Sequence, residues 1–157
     1  MVQMSRLTDY GIVLMTHCAR HADRSTHNAR DLAAEAHLPL PTVGKILKAL
    51  TRKGLLLSQR GVKGGYGLAR SPEDITVAEI ISALEGPVAI TKCSQSTGAD
   101  CGLERLCPVR TNWQRINSVV WEALGKITLH EMAQPLPPRD FIAVHAGDRP
   151  AASTGSR

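Results

Sequence analysis

Residues 38–70 read LPLPTVGKILKALTRKGLLLSQRGVKGGYGLAR, and the order of local signals along them decides the fold. Pro41 suits the first turn of a helix, and Gly54 suits its C-terminal cap. Between them Val43, Ile46, Leu47 and Leu50 recur at helical spacing and form one apolar face. The preceding stretch, ARDLAAEAHL (29–38), reads as a short alanine-rich helix with Asn28 as its N-cap. Two short helices joined by a tight, proline-containing turn read as a helix-turn-helix. Residues 55–59 and 66–69 then read as the strands of a β-hairpin with a glycine-rich tip. A hairpin directly after a helix-turn-helix makes a winged helix, with the wing over 55–70.

Working outward, LTDYGIVLMTHCARHA has Leu7, Ile12, Val13 and Met15 near helical spacing, which predicts a first helix over 7–22. DRSTHN is a polar connector. Downstream, Thr76 and Glu79 form a capping box for a helix that Gly86 ends. These elements predict a DNA-binding domain over 1–86, followed by a cysteine-bearing loop over 87–107. From residue 108 onward Val109, Trp113, Ile116, Val120, Ala123 or Leu124, and Ile127 recur at steps of four and three. That stripe predicts a helix of about twenty residues. It either packs on its own domain or pairs two chains, and the internal core of the winged helix favours a homodimer interface over 108–132. Residues 133–157 are rich in Pro, Gly, Ser and Ala and are expected to be a disordered tail. The expected fold class is mainly α with a small β-hairpin wing.

The chain has 157 residues and 43% hydrophobic content, enough for one domain with a core. One Phe, two Tyr and two Trp leave that core mainly aliphatic. The N-terminal apolar run is too short and broken to span a bilayer and lacks a cleavage pattern, so a soluble cytoplasmic protein with no membrane partner is expected. Net charge is +5, and its distribution is uneven. Residues 1–70 hold eleven Lys/Arg against four Asp/Glu, while 71–157 hold eight against ten. The basic excess sits in the N-terminal half, as for a surface that meets a polyanion such as double-stranded DNA. It is equally compatible, taken alone, with a solvated basic face.

With the apolar face turned inward, Thr42, Lys45, Lys48, Ala49 and Arg52 lie along the outer side of the second helix of the pair. A basic stripe on a helix fits a major groove. Lys45, Lys48 and Arg52 suit phosphates, and Thr42 or Lys45 suits base edges. The face has no Asn or Gln, so direct base readout from it is expected to be modest. At the wing, Arg60 and Lys63 supply charge beside glycines that permit close backbone approach to a groove wall.

Cys93, Cys101 and Cys107 are separated by seven and five residues. Clustered thiols in a reducing compartment point to metal or redox chemistry. Structural zinc usually shows ligand pairs two to four residues apart, which are missing here. Wide gaps on a glycine-bearing loop suit an iron–sulfur cluster, and Pro108 after Cys107 resembles the Cys-Pro ending of some cluster motifs. Zinc and a redox-active thiol set remain alternatives. No C-x-x-C pair or evident substrate pocket points to an enzyme. His17 and His21 stand four apart, a spacing that can chelate metal; without a third ligand they read as surface histidines. Cys18 reads as a small buried thiol.

The segments LTDYGIVLM, DLAAEAHLPLPTVGKILKALTRKGLL, RGVKGGYGLAR and ITVAEIISALEG, with the three-cysteine loop and long helix, resemble the Rrf-two-type winged-helix transcription regulators, which are IscR- and NsrR-like. The resemblance covers about residues 3–132. ALEGP and CPVRTNWQRIN add a finer likeness to the proteobacterial regulators of the SUF iron–sulfur assembly operon. It implies a homodimeric regulator, a repressor of iron–sulfur biogenesis genes, with a 2Fe–2S or 4Fe–4S cluster on the cysteine loop. IscR-like members carry a histidine three residues after the third cysteine, where this chain has Arg110. NsrR-like members use an aspartate of the first helix, reaching across from the other subunit, and Asp9 stands at that place. The resemblance therefore implies Asp9 of the partner subunit as fourth ligand, with Glu104, Asp100 and solvent as alternatives, and keeps a nitric-oxide-sensing repressor open.

Overall fold

A computed structural model describes residues 4–24, 26–61, 64–87, 89–91 and 107–135. The expected disordered tail lies outside them from residue 136 onward. Helix α1 (Arg6–Arg20) starts at Ser5, whose side chain accepts from the Thr8 amide. Helix α2 (Ala29–Glu35) is capped by Asn28, as its sequence predicts. Helix α3 (Leu40–Arg52) carries proline in its first turn. The α2–α3 turn passes through His37, whose φ of 53° is left-handed, and Leu38 N–H donates to Ala33 O at 2.9 Å. That is the geometry by which helices end sharply, at some cost for a residue with a Cβ.

Strands β1 (Leu56–Gln59) and β2 (Gly65–Leu68) pair antiparallel, with Leu56 opposite Leu68 and Ser58 opposite Tyr66. They make the wing, shifted by one residue from the predicted bounds. A short 3₁₀ turn (Pro72–Asp74) leads into α4 (Val77–Glu85). The Thr76–Glu79 capping box opens α4, and Gly86 closes it at φ 89°, both as predicted.

The core is mainly aliphatic, built from Leu14, Met15, Leu32, Ile75, Ile80 and the inward face of α3, with Tyr10 and Tyr66 packed at its edge. Val43, Ile46, Leu47 and Leu50 have no exposed surface. Each such side chain contributes about 1.5–3 kcal/mol relative to exposure. Together they tie the helix-turn-helix to α1, α4 and the first wing strand.

The C-terminal part departs from expectation. The predicted helix of about twenty residues is instead α5 (Arg110–Gly125), sixteen long, and a separate α6 (Leu129–Ala133). A second capping box, Thr128 with Glu131, starts α6. Thr128 bridges Thr76, the Val77 amide donates to Ile127 O, and Leu129 is fully buried. Ile127 thus leaves the stripe because its carbonyl serves the start of α4. Arg20 Nε donates to Ala133 O, fixing α6 to α1.

Two glycines separate a required from a tolerant position. A Cβ at Gly65 would stand 2.6 Å from the His27 carbonyl oxygen, whereas one at Gly44 meets nothing within 4 Å. Gly65→Ala is expected to destabilise by about 1–3 kcal/mol. Gly44→Ala, inside α3, should stabilise by about 0.5–1 kcal/mol. Thermal unfolding of the two variants checks both signs.

Candidate nucleic-acid interface and cysteine loop

Burial of one face of α3 fixes what the other presents. Lys45, Lys48 and Arg52 are exposed, and Thr42 and Ala49 are half-buried at the edge of the same face. Helical spacing places the three cations along one stripe. Arg60 is exposed where β1 ends, and Lys63 lies outside the described residues. Gly61 has φ 111°, and a Cβ at Gly64 would lie 2.5 Å from Gln59 O, so this turn requires glycine.

The wing is fastened at its root. His27 N–H donates to Tyr66 O at 2.8 Å, and Tyr66 N–H donates to His27 O at 2.9 Å. The polar connector thus adds a bridge to β2, and His27 is buried. His17 and His21, expected on the surface, are half-buried, because His27 and Glu35 of α2 pack over them. Cys18 is buried as predicted, and desolvation pushes its thiol up to about 12. It is no thiolate at neutral pH.

Of the predicted cluster ligands, Cys93 and Cys101 lie outside the described residues. Cys107 is a half-buried free thiol just before α5. Asp9 is exposed in the first turn of α1. That turn is clasped to the end of α4, where the cysteine-bearing segment begins. Glu85 Oε1 accepts from Ser5 N–H at 2.7 Å and from Thr8 Oγ1 at 2.6 Å. The Thr8 hydrogen bond holds the Glu85 carboxyl below its ordinary range. Among the described residues no three His, Cys, Asp or Glu side chains are gathered as metal ligands. The donor set of thiols and one carboxylate is chemically suited to iron.

On α5, Trp113, Ile116 and Val119 are exposed and no residue is buried. Asn117 Oδ1 accepts from Ile90 N–H at 3.0 Å, and Trp121, also partly exposed, borders a groove with Lys53, Leu55 and Glu79. Among the described residues, no helix is long and apolar enough to cross a membrane.

A buried-face helix-turn-helix, a basic outer stripe and an anchored hairpin define a winged-helix, DNA-binding transcription regulator. The Rrf2 family model, an iron-dependent transcriptional regulator, matches residues 4–135. The chain belongs to the Rrf2 family, and is a regulator of transcription rather than an enzyme. It is 31% identical over 123 residues to the HTH-type transcriptional regulator IscR of Vibrio atlanticus (strain LGP32), covering 78% of this chain and 70% of the relative. Protein rrf2 of Nitratidesulfovibrio vulgaris is 25% identical over 131 residues, 83% of this chain and 87% of that one. Among solved structures, CymR, the global cysteine regulator of B. subtilis, superposes with a TM-score of 0.66 at 28% identity, over 85% of this chain and 97% of its own. T. potens IscR gives 0.64 at 28%, over 83% and 85%.

Proposed function

We propose that the chain is a homodimeric repressor of iron–sulfur biogenesis (suf) genes, acting in the cytoplasm, whose hold on DNA depends on an iron–sulfur cluster. Cys93, Cys101 and Cys107 would hold a 2Fe–2S or 4Fe–4S group, with Asp9 of the partner subunit as fourth ligand. The donor set carries this reading: three thiols on one loop, while the remaining thiol, Cys18, is sealed in the core. A bound cluster supplies sensitivity to oxidants or nitric oxide, which an oxygen ligand would heighten.

Lys45, Lys48 and Arg52 meet phosphates, Thr42 or Lys45 meets base edges, and Arg60 with Lys63 meets the groove beside the wing. The exposed Trp113, Ile116 and Val119 support pairing through α5. Pairing sets two recognition helices about one DNA turn, ~34 Å, apart. A small change beside Cys107 then alters their spacing. A nitric-oxide-responsive repressor is the second reading, favoured by exposed Asp9 and by Arg110 where IscR-like members have histidine.

Protein purified without oxygen is expected to be brown, with thiolate-to-iron absorption and matching iron and sulfide content. Cys101→Ser should abolish the colour, and Asp9→Ala should leave the chromophore less durable in air. A colourless protein with stoichiometric zinc bound through the loop overturns the proposal.

A further inference from the structure

Three histidines that neither the basic stripe nor the cysteine set uses meet in the fold. The rings of His17 and His21, one turn apart on α1, are centred 4.4 Å apart. His27 stands edge-on to them at 6.0 and 6.5 Å. Glu35, the last residue of α2, brings Oε2 within 2.5 Å of His17 Nε2, an ion-pair distance without hydrogen-bond alignment. An open cavity of about 240 Å³ reaches His27 from solvent, bordered by Cys18, Arg24 and Arg70. The Arg70 guanidinium is committed to Asp74 O and Glu79, and the Cys18 thiol is neutral. Of the charged side chains facing the cluster from its neighbours (Arg24, Glu35 and Arg70), only Glu35 is negative.

The site is therefore hostile to protons. Burial lowers the pKa of His17, and His21 and Arg24 lower it further against the pull of Glu35. Burial lowers that of His27 as well, reinforced by His17, His21 and Arg24. His27 is also the residue whose backbone is doubly hydrogen-bonded to Tyr66 of the wing. Its carbonyl lies so close to Gly65 that no Cβ fits between them. A displacement of His27 cannot leave the root of the hairpin unchanged.

We infer that the His17–His21–His27 cluster is a proton-operated latch on the wing. With His17 and His27 neutral, the rings stack and His27 stays buried, holding Tyr66. Protonated, His17 and His27 repel one another and Arg24, and His27 leaves its place and frees the strand. The folded pKa values of His17 and His27 lie below the ordinary 6.5, so the opened form binds more protons. The latch is fully closed above pH 6.5 and weakens as pH falls through 6.5 toward the lowered values. Within that window its opening constant rises by up to about tenfold per pH unit for each proton taken up. The inference concerns the hairpin itself and stands whether or not the cysteine loop carries iron.

The test is hydrogen exchange at the Tyr66 amide in the full chain at pH 7.5 and 5.5, corrected for the intrinsic rate. Protection in the wild type is expected to fall by about tenfold or more. In His17→Gln and His27→Gln the acid-dependent fall should shrink to roughly threefold or less, with circular dichroism at pH 7.5 confirming that both variants fold. If either is unfolded, imidazole proton titrations of the wild type decide instead: midpoints for His17 and His27 below 6.5 uphold the latch, and midpoints at or above it overturn it. Protection that does not respond to pH, or responds alike in wild type and variants, also overturns it. So does saturable zinc binding at pH 7.5 that His17→Gln abolishes, which would make the cluster a metal site.

Discussion

Leu47→Ala is expected to lower the unfolding free energy by about 2–5 kcal/mol. Leu47 is fully buried on the face of α3 that anchors the helix-turn-helix to the core. Truncation removes its transfer free energy and leaves a cavity that rigid neighbours fill only in part. Domains of this size are stable by about 5–15 kcal/mol, so one substitution takes a large share. The urea midpoint should shift strongly with little change in slope. Leu57→Ala on β1 is the control: Leu57 is 54% exposed, and its loss should cost less than about 1 kcal/mol. Equal shifts for the two variants would contradict the burial of the α3 face.

Removing the charges of Lys45, Lys48 and Arg52 together is expected to weaken operator binding by about two orders of magnitude or more at low salt. Each phosphate neutralised releases condensed counterions, and the slope of log affinity against log salt is about −0.9 per contact. Loss of three contacts should flatten that slope by about 3 for each chain bound. None of the three cations forms an ion pair among the described residues, so their removal should leave the unfolding midpoint almost unchanged. Binding of an operator fragment at several salt concentrations, with a melting curve on the same samples, checks both halves. An unchanged salt slope would move the interface off α3.

Much of the fold was legible in the sequence because its signals are local. Asn28, Pro41, Gly54, the Thr76–Glu79 box and Gly86 each act within a turn of their own element, and the structure keeps all of them. The spacing of Val43, Ile46, Leu47 and Leu50 also decided which side of α3 is outward. What escaped was set by long-range contacts. The stripe on α5 ran on to Ile127 in sequence, but the Val77 amide claims the Ile127 carbonyl and the chain breaks there. The Thr128–Glu131 pair was the available mark of α6, hidden inside a pattern that continued across it. His27 sat in a segment that looked like plain connector. Its burial follows from the bridge to Tyr66, thirty-nine residues further along the chain and adjacent in the fold. The cysteines were legible as a candidate donor set, and two of the three, Cys93 and Cys101, lie outside the described residues.

The break between α5 and α6 has a mechanical consequence. The C-terminal half of α5 is fastened: Trp121 sits beside α4, and the 126–128 segment is hydrogen-bonded to the start of that helix. Its first two turns, from Arg110 toward Ile116, carry mostly exposed side chains. Sixteen residues make a rod of about 24 Å. Pivoted at its far end, it would move the Arg110 end by roughly 2 Å for a tilt of about 5°. The fold thus sets a rod whose fastened end rests against the DNA-binding core, with Cys107 just before its opposite end.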